Sequence, residues 1–148
     1  MRKIIIVLAV LVLLTGCKST PKVDGLSGFE WKLIDVTIEG QSINFNRDTL
    51  SREGFGEIFT LTFDAERLSG VGAPNRYFAP YTLGSNKSIS VQPVAGTLMA
   101  PLRQPEKLKE NDYFTYISNT YEWSIADSKL QLKSKTADGK DVVLTFKI

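Results

Sequence analysis

Acid–base chemistry in this chain would have to run without imidazole. The sequence has no histidine, one cysteine, and 16 Asp and Glu against 18 Lys and Arg. Histidine triads, cysteine–histidine dyads and imidazole metal sites are therefore excluded. A single cysteine forms neither an intramolecular disulfide nor a cysteine zinc cluster. Paired carboxylates could still hydrolyse a glycosidic bond. Asp64 and Glu66, and likewise Glu110 and Asp112, are spaced by two, which on a strand puts both acids on one face. Turns and solvated faces show the same spacing, and the sequence supplies neither the burial nor the convergence that would single out a pair. A serine nucleophile would need lysine or carboxylate as its base. Ser51, Ser85, Ser118 and Ser124 are followed three positions later by Gly54, Ser88, Tyr121 and Asp127, not by the lysine of a Ser-x-x-Lys tetrad. Gly70 and Gly72 lack the third glycine of a dinucleotide fingerprint, and a tyrosine-rich strand follows them where a helix would be required. Asp138-Gly139-Lys140-Asp141 offers only two acids with a lysine between them, which suits a hairpin turn and not a calcium loop.

The one cysteine has chemistry of a different kind. Met1-Arg2-Lys3 is a positive start, and the eleven residues Ile4 to Leu14 contain no polar side chain. As a helix this run spans about 16 Å, too short for a hydrocarbon core of about 30 Å, so it suits a secretory signal of residues 1–16. Leu14-Thr15-Gly16-Cys17 resembles the lipobox of bacterial lipoproteins: an aliphatic residue, two small residues that admit an intramembrane peptidase, then the cysteine whose thiol takes a diacylglyceryl group. An N-acyl chain follows on the new amino terminus. This would consume a thiol that is otherwise a liability in an exported protein. Each buried methylene contributes about 0.8 kcal/mol, and two or three chains give stable retention. The expectation is a protein that lies on a membrane, with Cys17 and the polar stretch to residue 28 as its tether. No cofactor is expected beyond this covalent lipid. Lys18, not aspartate, follows the cysteine; by analogy with lipoprotein sorting this favours the outer membrane, facing the periplasm, in a cell with two membranes.

Charge excludes another class. Two of the 18 basic residues, Arg2 and Lys3, lie in the leader, which has no acid, so 16 basic and 16 acidic residues remain. Nucleic-acid binding draws most of its affinity from phosphate neutralisation and shows a basic excess; no nucleic-acid partner is expected.

Hydrophobic residues make up 43% of the chain and charged residues 23%, which suits one folded domain, here residues 29–148. Its pattern is mostly period two, the signature of half-buried strands. Trp31 and Leu33 share a parity that Ile34, Val36 and Ile38 reverse, which predicts a bulge or bend. Phe59, Leu61 and Phe63 alternate with threonines. Tyr77, Ala79, Tyr81 and Leu83 form another strand, which Pro80 places at an edge or interrupts. Ile89 and Val91, then Tyr121, Trp123 and Ile125, give two more. Leu130 and Leu132 face Leu144, Phe146 and Ile148 across the Asp138-Gly139 turn as a closing hairpin. Pro105 to Asn119 suits one short helix, with Pro105 at its first position and acids in its first turn, although Tyr113 to Ile117 would also suit a strand. Gln41 to Glu57 suits a long loop or irregular hairpin. The expected architecture is mostly β: a strongly curved antiparallel sheet or small barrel with one short helix. All aromatics follow the leader and are expected to pack in its core.

The run from Leu68 to Pro101, LSGVGAPNRYFAPYTLGSNKSISVQPVAGTLMAP, resembles the central motif of the META domain family, which includes HslJ. Gly70 and Gly72 match its glycine-rich approach, and Asn75-Arg76-Tyr77-Phe78 with Tyr81 its Asn-Arg-aromatic core. Thr97-Leu98-Met99-Ala100 matches its Thr-x-Met-Ala close, and Trp31-x-Leu33 and Leu61-Thr62-Phe63 match flanking strands. The family's two motif cysteines fall near Ala73-Pro74 and at Pro101, where this chain has none; a disulfide typically contributes about 2–4 kcal/mol, so packing would have to replace any such staple. The resemblance implies a barrel-like domain of lipocalin-type topology, no established catalytic site, and an envelope role sometimes linked to stress. On physical grounds Gly70 and Gly72 permit unusual backbone, Asn75 can hold a turn, and Arg76 can pair with a carboxylate or stack on an aromatic. Asn75 and Arg76 thus brace structure or contact a ligand. The functional expectation is a lipid-anchored, non-enzymatic envelope domain that binds or supports other envelope components. The alternatives are a carrier or sensor of a small apolar ligand in its barrel, and a carboxylate hydrolase.

Overall fold

Alternation of large apolar and polar residues can bury only one face of each strand, so the sheet must curl around its own apolar face. The computed structural model describes residues 25–148 and shows this. The strands are β1 (Glu30–Ile38), β2 (Gln41–Ser42), β3 (Thr60–Phe63), β4 (Arg67–Val71), β5 (Arg76–Leu83), β6 (Ile89–Val91), β7 (Ala95–Gly96), β8 (Glu122–Ala126), β9 (Lys129–Lys135) and β10 (Asp141–Lys147); the helices are α1 (Arg47–Arg52) and α2 (Glu110–Ser118). The strand order is β6-β5-β4-β3-β1-β10-β9-β8, with antiparallel pairing between neighbours. The two outer strands meet: Ser88 bridges Glu122, Ile89 N–H donates to Tyr121 O (3.0 Å) and Trp123 N–H to Lys87 O (3.0 Å). A nearly closed barrel results.

The interior is filled by the residues whose parity predicted it. Trp31, Leu33, Phe59, Leu61, Leu130, Leu132, Leu144 and Phe146 are all at most 1% exposed. The parity reversal in β1 is a bulge, since its register against β10 shifts between Leu33 and Asp35. Pro80 lies at an interruption: on one flank of β5, Tyr81–Leu83 pair with β6 and Tyr77–Phe78 with β7, and Pro80 falls between the two segments. Pro80 O accepts from Gln92 N–H on that flank, so the nitrogen that cannot donate faces the gap.

Three expectations need correction. Gln41–Glu57 is more than a loop or an irregular hairpin: β2 closes a short hairpin on β1, and the six-residue α1 follows, capped by Asn46 Oδ1 accepting from Thr49 N–H. The helix expected from Pro105 begins at Glu110, because Pro105 is buried in the approach and its carbonyl accepts from Lys109 Nζ. Leu83, Ile125 and Ile148 continue the inward parity but are exposed, because their strands run past the covered core.

The barrel has two unlike ends. Gly25 through Phe29 approach the start of β1, and the turns Asp64–Glu66, Gly84–Ser88 and Asp127–Ser128 share that near end. The turns around Glu39-Gly40, Gly72–Asn75 and Thr136–Lys140 form the far end. α2 spans the far mouth. Tyr113 reaches Thr60 O on β3 at 3.2 Å, and at the other end of the helix Tyr116 O accepts from Ser134 Oγ on β9.

Candidate functional site

The far end is organised by one buried carboxylate. Glu110, the first residue of α2, is 6% exposed. Its Oε1 accepts from Ala73 N–H (2.5 Å) and Asn75 N–H (2.6 Å), and its Oε2 from Asn75 Nδ2 (2.7 Å). Asn75 in turn donates through Nδ2 to Met99 O (3.1 Å), and its Oδ1 accepts from Thr97 Oγ1 and Met99 N–H, both at 2.7 Å. One side-chain amide thus ties the β4–β5 turn, the segment after β7 and the start of α2 together. Charge-assisted bonds to backbone N–H groups are strong, and here every carboxylate oxygen is occupied.

The glycines serve this junction by being small. Gly70 and Gly72 are not in the left-handed region, contrary to the expectation that they supply unusual backbone. A Cβ on Gly70 would lie 2.0 Å from Thr60 O, and one on Gly72 would lie 2.7 Å from Glu110 Oε1 and from the Phe114 ring.

Tyr77 extends the junction inward. Its hydroxyl donates to Thr60 O (2.8 Å) and lies 2.9 Å from the Tyr113 hydroxyl. Burial pushes both phenols well above their ordinary range, so neither serves as an acid or base near neutrality. The structure therefore brings together Gly70, Gly72, Asn75, Tyr77, Thr97 and Met99. Tyr81 stands apart, its hydroxyl donating to Asp64 O (2.7 Å). Arg76 contributes backbone, its carbonyl accepting from Thr97 N–H (3.0 Å). Its side chain is exposed and lines a cleft of about 490 Å³ with Glu57, Val71, Pro74, Thr97 and Met99. Leu14, Thr15, Gly16 and Cys17 lie outside the described residues.

What the junction holds outward is a short apolar loop. Leu98 and Leu102 are fully exposed and Met99 is 54% exposed. Pro74, Met99, Pro101, Leu102 and Arg103, with Phe55, line an open cleft of about 510 Å³. Arg103 closes its far side: its guanidinium lies 5.1 Å from the Phe55 ring centroid and donates to Glu53 O (3.0 Å). Single exposed leucines are ordinary, but two fully exposed leucines within five residues, with a half-exposed methionine between them, put an unusual amount of apolar side chain into solvent.

The carboxylate pairs do not converge. Asp64 caps the β3–β4 turn, accepting from Glu66 N–H (2.9 Å) and Arg67 N–H (2.8 Å), and the Glu66 backbone bond is the main cause that holds its carboxyl below the ordinary range. Glu110 is used structurally and Asp112 is solvent-exposed. Asp138 and Lys140 lie in the β9–β10 turn, where Thr136 Oγ1 donates to the Asp138 carboxylate. Among the described residues no three His, Cys, Asp or Glu side chains gather as metal ligands, and no helix is long and apolar enough to cross a membrane.

Two features were missed from sequence. Glu110 is separated from Asn75 by 35 positions; the only local signal was an acid at a helix start. Arg47 lies in a stretch that resembles a loop, yet its guanidinium donates to Leu33 O (2.6 Å), Gly56 O (2.9 Å), Ile58 O (2.8 Å) and Phe59 O (3.2 Å). It satisfies carbonyls beside the β1 bulge, and desolvation lowers its pKa.

The family model of the META domain matches residues 24–147. An NMR structure of a protein from Burkholderia xenovorans is similar at 24% identity, covering 82% of each chain with a TM-score of 0.55. The crystal structure of a DUF4847 family protein from Bacteroides vulgatus is similar at 14% identity, covering 82% of this chain and 93% of that one, also at 0.55. At these identities the solved structures speak for the fold alone. No curated protein is similar enough to match.

Proposed function

The chain belongs to the META domain family, and from that premise we propose that it is a lipid-anchored, non-enzymatic cell-envelope domain that binds another envelope protein through the loop from Thr97 to Arg103. The observation that carries this reading is the contrast within that loop. Its first part is fixed by Asn75, which bonds Thr97 Oγ1 and both Met99 N–H and Met99 O, and its end is tied by the Arg103 side chain to Glu53 O, while Leu98 and Leu102 stand fully in solvent. A loop held at both ends loses less entropy on binding than a free one, and an apolar centre flanked by Arg103 and Arg76 has the anatomy of a contact surface. The interior favours this reading over a small-ligand carrier: the Phe59 and Tyr113 rings are 4.9 Å apart and Tyr77 and Tyr113 5.7 Å apart, so a ligand inside would have to displace the core.

The anchor rests on the leader of residues 1–16, the Leu14–Cys17 motif and the tether to residue 28. The far-end loop then faces away from the bilayer, into the periplasm when the anchor is in an outer membrane. A role in envelope stress would act through the bound partner.

In-cell photo-crosslinking from positions 98 and 102 tests the proposal. A discrete crosslinked partner at both, absent when the probe is at Thr145 on the barrel wall, is expected. Equal labelling from all three positions sinks the loop as a binding surface. Cys17→Ala should leave the precursor uncleaved or release the protein from membranes; wild-type mature protein that is soluble without detergent contradicts the anchor.

A further inference from the structure

The near end of the barrel carries an apolar rim that the far-end loop does not explain. Four segments each place one more inward-parity residue beyond the covered core: Phe29 before Trp31, Leu83 after Tyr81, Ile125 after Trp123 and Ile148 after Phe146. These four are 42%, 37%, 37% and 60% exposed. At the far end α2 and its tyrosines cover the mouth; at the near end Leu26 enters it, fully buried, with its carbonyl accepting from Trp31 Nε1 (3.0 Å).

The chain's route says what faces that rim. Gly25 lies against Ile125, close enough that a Cβ there would be 3.3 Å from Ile125 Cδ1. Cys17 is eight residues earlier, so an extended chain separates the two by at most about 29 Å. A lipid-bearing cysteine therefore holds the near end within one barrel length of the bilayer. Tethering raises the effective concentration of the rim at the surface, so an apolar patch too small to bind by itself can seat. The charges at this end are mixed, with Lys129 and Lys147 facing each other across β9 and β10 and exposed Asp64, Glu66 and Asp127 in the turns, so the rim and the tether, not charge, direct the seating.

We propose that the near-end rim of Phe29, Leu83, Ile125 and Ile148 seats on the lipid surface, fixing the barrel upright with the Leu98–Leu102 loop pointing away. The seating rests on the lipid anchor of the preceding section. It makes the domain an oriented post and not a ball on a string.

The test uses the mature acylated chain in vesicles of phosphatidylethanolamine and phosphatidylglycerol, with a fluorophore placed in turn by Leu83→Cys, Ile125→Cys and Leu98→Cys. Lipids carrying a nitroxide near the headgroup should quench positions 83 and 125 several-fold more than position 98. Hydrogen exchange on the unlabelled chain gives the same readout without a substitution: the turns Gly84–Ser88 and Asp127–Ser128 should be protected on vesicles and the turn Thr136–Lys140 should not. Vesicle-bound protein with equal quenching at all positions and no near-end protection overturns the seating and leaves the anchor standing. Mature protein isolated from its native host with no lipid on Cys17 overturns both.

Discussion

The carboxylate of Glu110 accepts hydrogen bonds from both the backbone N–H and the side-chain Nδ2 of Asn75, at 2.6 and 2.7 Å. Because Asn75 also holds Thr97 and Met99, this one pair sets the height of α2 over the barrel mouth and the course of the loop that carries Leu98. Glu110→Ala leaves three donors without their acceptor in a buried site and should cost about 3 kcal/mol. Glu110→Gln keeps one acceptor for the two backbone N–H groups but turns an NH2 donor toward Asn75 Nδ2, so it should recover only part of that loss. Denaturant unfolding of the mature protein measures both, and losses within about 0.5 kcal/mol, as at an ordinary surface site, would contradict the buried contact.

Asn75→Asp gives a sharper reading of the same contact. It puts a second carboxylate where an amide N–H₂ faces Glu110 Oε2 at 2.7 Å. Two carboxylates at that distance cannot both ionise without large cost, and one pKa rises. The variant should be less stable than Asn75→Ala at neutral pH and regain stability as acid supplies the shared proton. A variant whose stability relative to wild type is flat from pH 7 to about pH 4 would argue against direct contact.

The two motif glycines should differ in their tolerance of a methyl group. At Gly70 the obstacle is Thr60 O, a backbone atom of β3 held by the Tyr77 and Tyr113 hydroxyls, at 2.0 Å. At Gly72 the obstacles at 2.7 Å are side-chain atoms of Glu110 and Phe114, of which Phe114 can turn. At Gly84 only the Ser88 hydroxyl, at 2.4 Å, is in the way, and it rotates freely. Thermal unfolding should rank Gly70→Ala as most harmful, Gly72→Ala next at about 1–3 kcal/mol, and Gly84→Ala as nearly silent.

Much of this barrel is legible in the sequence because its determinants are local. The parity reversal between Leu33 and Ile34 announced the bulge, Pro80 announced the interruption between β6 and β7, and Asp138-Gly139 announced the last hairpin. The motif residues Gly70, Gly72, Asn75, Thr97 and Met99 also converge, but what they converge on was not legible. Glu110 is an acid near a helix start, like thousands of solvated ones, and nothing within ten residues marks it as buried. Arg47 sits in a polar stretch where a charge is normally hydrated; only the folded chain shows four carbonyls around it. Long-range partners of ordinary residues leave no local pattern.

Alkaline pH should loosen the domain through Tyr77 and Tyr113. Burial raises both phenols. A raised folded-state pKa means that the neutral form carries the stability: it is fully present below the unfolded value of about 10 and is lost as pH climbs from there through the folded values. Tyr113→Phe removes one such group while leaving Tyr77 its bond to Thr60 O. Unfolding followed from about pH 9 to pH 12 should show a shallower decline for the variant than for wild type.

Arg47 should resist even its closest replacement. Its guanidinium spans four carbonyls on three segments, β1, the stretch after α1 and the approach to β3. A lysine ammonium is a single point with three donors and cannot reproduce that fork. Arg47→Lys should therefore cost about 2 kcal/mol, and Arg47→Ala somewhat more, because buried carbonyls beside the β1 bulge lose their donors. The damage should stay local: hydrogen exchange should quicken at Leu33 and Phe59, whose N–H and C=O pair at 3.0 Å, while the Leu130–Phe146 pairing of β9 and β10 should keep its protection. Uniform loss of protection across both regions would mean that Arg47 supports the whole barrel and not the bulge alone.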